Sequence, residues 1–239
     1  MSTVGHDGLP SLAGNPLLDE WRRLGALSCD DPVRQRLVRR YAYGIPNDAA
    51  LDAIAAVAPA GVVEVGAGTG YWARLLFDRG VDVVAYDIAP PSTGANLYVD
   101  AAPPWFAVKP GGEEAVERHA DRTLLLVWPT RNEIWASDAA ARYHAAGGET
   151  TVYVGEGPGG RTGDATLHAL LGIHGPCLAC VYGVRDAPCI CAHPPVWRRT
   201  VTIDVPRWAE ATDTGGIFTR ESAGGRARVS RRRGRRDTG

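Results

Sequence analysis

Residues 61–87 read strand, glycine turn, helix, strand, and this stretch constrains the fold more than any other part of the chain. Gly61 to Val65 is a short β-branched run. Tyr71 to Arg79 has helical patterning that Gly80 ends, and Val81 to Tyr86 is a second strand. Between the first strand and the helix lies Glu64-Val65-Gly66-Ala67-Gly68-Thr69-Gly70. A backbone that bends this sharply, and that a ligand must approach closely, needs residues without a Cβ. The helix that follows offers free N–H groups at its start. Asp87, at the end of the second strand, is placed to accept hydrogen bonds from both hydroxyls of a ribose.

The same grammar continues along the chain. A weak strand is expected near Trp105 to Val108, a helix near Glu113 to His119 and a very apolar strand from Thr123 to Trp128. A helix capped by Asn132 then runs to about Ala146, followed by a strand from Thr150 to Val154 and a helix from Thr166 to Leu171 with Asp164 as its cap. Val196 to Val205 reads as a late strand, with one more near Ile217. Strands alternating with helices imply an α/β fold, a doubly wound, mostly parallel sheet covered on both faces. Residues 1–15 have no periodicity and read as a mobile lead-in. Helices precede the sheet within 16–58. Asp31-Pro32 opens one, with Val33, Leu37 and Tyr41 on a face, and Asn47 caps another striped by Leu51, Ile54, Ala55 and Ala58. The domain is expected over 16–219: cofactor-binding core 60–172, cysteine-rich insertion 174–195 and last strands 196–219.

Two details separate the ligands that such a turn can hold. A dinucleotide fingerprint wants a third glycine where this chain has the bulky Tyr71. Glu64, two residues before the first glycine, is poorly placed for a pyrophosphate and well placed for an ammonium group. A ligand with adenosine at one end and an amino acid at the other satisfies both. On these residues the chain resembles the class I S-adenosylmethionine-dependent methyltransferases. Glu64 to Gly70 matches their E/D-x-G-x-G-x-G motif, and Asp87 stands where they keep a ribose-binding acid. The resemblance is specific over 62–87 and looser over about 45–172. It implies a seven-stranded sheet of order 3-2-1-4-5-7-6. It also implies S-adenosylmethionine as cofactor, with Gly66, Gly68 and Gly70 at the methionine part and Asp87 at the ribose. Glu113, after the third strand, is the residue left for the adenine.

In a doubly wound sheet the substrate approaches the carboxyl ends of the strands. Trp128-Pro129-Thr130 ends one strand where several methyltransferase groups carry a D/N-P-P-aromatic motif, and it keeps only the proline. Trp128 and Thr130 are read either as lining the methyl pocket or as core and strand end. Glu156 opens a loop with five glycines in residues 155–163, which reads either as a mobile lid or as a solvated loop. Glu156 is the first candidate base, and Arg161 a clamp for an acidic substrate. Tyr43 reads either as reaching the cofactor from the N-terminal helices or as a packing residue. His119, His144 and His168 have no partner spacing and read as surface or core.

Cys177, Cys180, Cys189 and Cys191 fall within fifteen residues, with His193 following, while Cys29 stands alone. A structural zinc held by the four clustered thiolates is the expectation, with His193 as a substitute ligand and free thiols or disulfides as the other readings.

The net charge of −1 conceals a split: residues 1–219 carry −7 and residues 220–239, with eight arginines, carry +6. The tail reads as a disordered terminus, with an electrostatic contact to nucleic acid as the alternative. No apolar run approaches the ~20 residues of a membrane span, and the start lacks the pattern of a signal peptide. A cytoplasmic enzyme transferring methyl groups to a small molecule is expected. The alternatives are a nucleic-acid or protein methyltransferase that uses the tail and cysteine cluster, and a cofactor-binding module or cyclase.

Overall fold

The computed structural model describes residues 9–173 and 195–221. The cysteine cluster, His193 and the arginines from Arg226 onward lie outside the described residues. Six helices and seven strands make up this part. Three helices come first, α1 (Pro16–Leu24), α2 (Pro32–Arg40) and α3 (Asp48–Ala56). The remaining elements are β1 (Val62–Val65), α4 (Tyr71–Phe77), β2 (Val83–Asp87), β3 (Val108–Pro110), β4 (Thr123–Val127), α5 (Trp135–Ala145), β5 (Thr150–Gly155), α6 (Ala165–Leu170), β6 (Trp197–Ile203) and β7 (Thr214–Arg220).

The strands form one sheet of order β3-β2-β1-β4-β5-β7-β6. Strands β1 to β5 pair in parallel, and β7 inserts antiparallel between β5 and β6. This is the doubly wound, seven-stranded, mostly parallel sheet expected, in the order the family resemblance implies. The central strands are apolar runs because helices cover both of their faces. Successive side chains on a strand point to opposite faces. Leu125 therefore joins Val62, Val152, Leu51, Ile54, Trp72 and Trp208 on one side, and Leu124 and Leu126 join Val63, Ala136, Tyr143, Tyr153 and Trp197 on the other. Among the described residues no helix is long and apolar enough to cross a membrane.

Several local expectations are corrected. The third strand is Val108–Pro110, because Trp105 and Phe106 turn both side chains into the core. Trp105 stacks on Tyr41 at 5.3 Å and donates its indole N–H to the Arg40 carbonyl. Glu113–His119 winds as a 3-10 helix. Asn132 does not cap α5, since it lies at φ +59° and the helix starts at Trp135. On α2 the buried pair is Arg34 and Val38, with Leu37 and Tyr41 only flanking them.

The segment expected to be mobile is tied down at its end. The Pro10 carbonyl accepts from Arg74, and Leu12 packs on the core. Asn15 caps α1 through Leu18 N–H, accepts from the Tyr71 hydroxyl at 2.8 Å and donates to the Pro46 carbonyl at 2.8 Å. Asn15 thus locks the helical layer onto the residue that follows the glycine turn. Asn15→Ala loses the cap and strips a buried hydroxyl of its acceptor, so urea denaturation should read a loss of about 1–3 kcal/mol.

Candidate active site

The turn between β1 and α4 takes a path that only glycine adopts easily. Gly66 lies at φ +71° and Gly70 at φ +73°. A Cβ on Gly66 would meet the Trp135 ring at 2.5 Å, and one on Gly70 would meet the Phe106 Cβ at 2.9 Å. The turn is fastened to β2 at two points. Ala67 N–H donates to the Tyr86 carbonyl, and Gly68 N–H donates to Asp87 Oδ2 at 2.8 Å. The other Asp87 oxygen accepts from Ala89 N–H at 2.9 Å and from the Asn96 amide at 3.3 Å. Burial raises the Asp87 pKa, and these donors pull it back.

Glu64, on β1, is 2% exposed, and its Oε2 has no hydrogen-bond partner. Burial pushes its carboxyl up to about 8, the Ala73 N–H opposes that shift and Asp87 adds to it. A buried carboxylate without a counter-charge is costly.

A cavity of about 610 Å³ opens over the carboxyl ends of the strands, within the size range of small-molecule sites. One end is lined by Glu64, the turn from Gly66 to Thr69, Asp87 and the Gly111–Glu113 segment. The sequence-predicted cofactor residues Glu64, Gly66, Gly68, Asp87 and Glu113 are therefore brought together on one wall, with Gly70 behind them at the start of α4. The other end is lined by Tyr43, Trp128, Thr130, Arg131 and Arg161, with Trp135 lying over Gly66 of the turn. Trp128 and Thr130 thus face the cavity. Trp128 holds φ +51°, a strained value for a bulky residue, and stacks on Tyr43 at 5.6 Å. At the mouth, Ile88 and Leu97 are more than 80% exposed.

Glu156 sits differently from its expected role. It is not among the cavity-lining residues, and its carboxylate is spoken for. Oε1 accepts from Arg161 Nε and Nη2 at 3.2 and 3.0 Å and from Thr212 N–H, while Oε2 accepts from Arg161 N–H. Burial raises its pKa, but the Arg161 side chain and these backbone donors outweigh burial and leave it below the ordinary value. A carboxylate so engaged is a poor general base and instead positions Arg161. The loop it opens is also not a loose lid. Thr162 Oγ1 accepts from Glu156 N–H, Gly163 N–H donates to the Pro129 carbonyl, and the Gly163 carbonyl accepts from Asn132.

Behind Trp128 lies Asp213, which the sequence reading missed. It is fully buried, and neither oxygen makes a hydrogen bond of normal geometry. The Trp128 indole N–H, also unsatisfied, faces it closely enough to lower its pKa. Burial and the nearby Glu156 outweigh that help, and with it Arg161 and Arg207, and push Asp213 up to about 7. The register explains the cluster: Gly155 pairs with Thr214, so the next residues outward are Glu156 and Asp213. Trp135, which covers Gly66, was also missed, since its place in the helix pattern carries no signal of its position over the turn. His168 is a core residue, its Nε2 within 3.2 Å of the Glu156 carbonyl and 3.4 Å of the Tyr153 hydroxyl. Among the described residues no group of three or more His, Cys, Asp or Glu side chains is arranged to hold a metal.

The strand order and the glycine turn define the fold as that of the class I S-adenosylmethionine-dependent methyltransferases. No protein-family model matches the chain. No curated protein matches it either. Among solved structures it is similar to magnesium protoporphyrin IX methyltransferase from Synechocystis with bound S-adenosylhomocysteine, at 13% identity and TM-score 0.39, covering 85% of this chain and 94% of that one. It is similar also to the 1,6-didemethyltoxoflavin-N1-methyltransferase of Burkholderia thailandensis, at 16% identity and TM-score 0.43, covering 74% and 80%. A third structure, concerned with conversion of a disulfide into a thioacetal in echinomycin biosynthesis, has 18% identity and TM-score 0.39, covering 72% and 82%.

The buried state of Asp213 has a measurable consequence. Its pKa is raised in the folded chain, so between about pH 4 and 7 the native state holds a proton that the unfolded chain releases. Stability contributed this way is complete below the unfolded value and is lost as pH rises toward 7. Asp213→Asn removes that loss. The stability gap between the variant and the parent should grow in the variant's favour from pH 5 to pH 8, by at most ~1.4 kcal/mol per pH unit. A gap that stays constant with pH would contradict the assignment.

Proposed function

We propose that this chain binds S-adenosylmethionine and transfers its methyl group to a small molecule. The observation that carries the reading is a pair of buried carboxylates flanking one glycine turn. Glu64, with an unpartnered oxygen, lies on the first strand, and Asp87 ends the neighbouring strand. Glu64 suits the ammonium of an amino acid, and Asp87 suits the hydroxyls of a ribose. The close approach that Gly66 and Gly68 permit suits the part between. The residues present therefore fit this cofactor, which when bound supplies a methyl group on a positively charged sulfur.

The chain's own work is positional. Asp87 takes two donors on Oδ1 and one on Oδ2, and an ionised carboxylate has about four acceptor sites, so one site on Oδ2 remains for a ribose hydroxyl. Glu113, Gly111 and Gly112 line the cavity where an adenine would lie beside β3. Trp128 and Tyr43 supply the apolar wall of the opposite end. Methyl transfer needs the acceptor atom, carbon and sulfur held in line, and rigid aromatic walls that exclude water serve that alignment. A macromolecular acceptor is less well matched, because residues 1–219 carry a net charge of −7.

Product analysis tests the reading. Incubation with S-adenosylmethionine and a panel of small acceptors should yield S-adenosylhomocysteine in step with methylated product. Methylthioadenosine in its place would assign the site to cyclisation or cleavage. Asp87→Ala should weaken cofactor affinity about 10–100-fold, the loss of one or two charge-assisted hydrogen bonds, and unchanged affinity would remove Asp87 from the site.

A further inference from the structure

We infer that the acceptor is a ring-bearing apolar molecule that carries an anionic group, its ring lying on the Trp128–Tyr43 wall and its anion on Arg161. The term acceptor rests on the methyl-transfer reading, whereas the anion site itself rests on the placement of Arg161 and does not depend on that reading.

Arg161 lines the cavity at the end away from the glycine turn, with its guanidinium carbon 5.8 Å from the centre of the Trp128 ring. It is held there with unusual care. Nε and Nη2 both lie on Oε1 of Glu156, a carboxylate that is itself buried and fixed by the N–H groups of Arg161 and Thr212. Nη1 makes no hydrogen bond among the described residues, and about a third of the side chain is open. A guanidinium pinned along one edge, with a nitrogen still free, is a prearranged donor for a planar oxyanion. Pinning also lowers the ordering cost that a flexible arginine meets on binding.

Glu156 does not cancel this positive charge. Arg34 is buried behind the wall, its Nε without a partner, and it interacts electrostatically with Arg161 and Asp213. Two guanidiniums thus stand against Glu156 and Asp213, and burial favours the neutral form of Asp213. When Asp213 is protonated the cluster carries surplus positive charge, presented to the cavity by an Arg161 whose neighbours Arg34, Glu156 and Asp213 are buried, and an approaching anion is attracted to it. Arg131 adds a second, exposed cation at the mouth, with Glu133 beside it as the opposing charge.

The companion surface is apolar. Trp128 and Tyr43 stack at 5.6 Å with planes 25° apart, so together they present a continuous aromatic wall. Leu97 and Tyr98, 82% and 50% exposed, extend it to the entrance. Exposed apolar residues grouped at the mouth of a cavity mark a path for an apolar ligand.

Calorimetry on the full chain tests this with matched probes, naphthoate and its neutral amide, each with and without S-adenosylhomocysteine. Naphthoate should bind at least about 10-fold more tightly than the amide. Arg161→Gln should remove the difference, and Arg161→Lys should restore part of it. Tyr43→Leu should weaken both probes alike. Should Arg161→Gln leave Glu156 unpaired and unfold the loop, the double variant Arg161→Gln with Glu156→Gln removes both charges and should likewise bind the two probes equally. Equal affinity in the parent chain, no binding of either probe at millimolar concentration, or a preference that survives Arg161→Gln would overturn the proposal. S-adenosylhomocysteine titrated into the same samples separates the two readings. Anion preference without cofactor binding would sink the transfer reading and leave the anion site standing. Cofactor binding without anion preference would do the reverse.

Discussion

The bond from Gly68 N–H to the Asp87 carboxylate, 2.8 Å long, joins the glycine turn after β1 to the end of β2, the two pieces on which the cavity is built. It exists because Gly66 and Gly70 let the chain reverse in left-handed conformations and bring Gly68 back against the end of β2. Once the turn is closed, its surroundings are fixed. Trp135 lies where a Gly66 side chain would be, Phe106 packs against Gly70, and Tyr71 is anchored by Asn15 of the N-terminal layer. A methyl group in place of a glycine hydrogen would displace a tryptophan ring or the core. The site and the fold therefore share their tightest packing.

Against that packing, the cavity region keeps two carboxylates in environments that a purely structural core would avoid. Glu64 and Asp213 are both buried, and both have oxygens without partners. Unsatisfied buried polar atoms are uncommon in native structures and concentrate where a ligand or strain completes them. Glu64 faces the end of the cavity suited to a cofactor. Asp213 stands behind the strained Trp128, where with Arg34, Glu156 and Arg161 it forms a charge cluster that supports the opposite end. The two buried carboxyls thus stand at different parts of the cavity wall, Glu64 beside the glycine turn and Asp213 behind Trp128.

Much of this was legible in the sequence where the signal was local. The glycine turn, Asp87 and the succession of strands and helices depend on neighbours a few residues away, and the sheet order followed from the resemblance that they carried. Local signals misled where a tertiary contact decided the outcome. Trp105 and Phe106 looked like a strand because both are apolar, yet both are consumed by the core. Asn132 looked like a cap, but its N–H is engaged by the Gly163 carbonyl and its backbone turns left-handed. Glu156 looked like a free base in a glycine-rich loop, and its locking by Arg161 and Thr212 could not be seen without the antiparallel pairing of β5 and β7. Asp213 was invisible for the same reason, since only that register sets it beside Glu156.

The central claim is that Glu64 and the glycine turn receive the amino-acid end of an adenosyl cofactor, and proton linkage tests it most directly. With its carboxyl near 8, Glu64 is mostly protonated in the free protein at pH 6.5, and an ammonium placed beside it would drive the proton off. Titration calorimetry of S-adenosylmethionine in buffers of different ionisation enthalpy should report release approaching one proton at pH 6.5 and, at pH 9, where the cofactor's own α-amino group is largely unprotonated, proton uptake in its place. The release at pH 6.5 should vanish in Glu64→Gln. Absence of binding heat at millimolar cofactor, or the same proton release in the Glu64→Gln variant, would contradict the account.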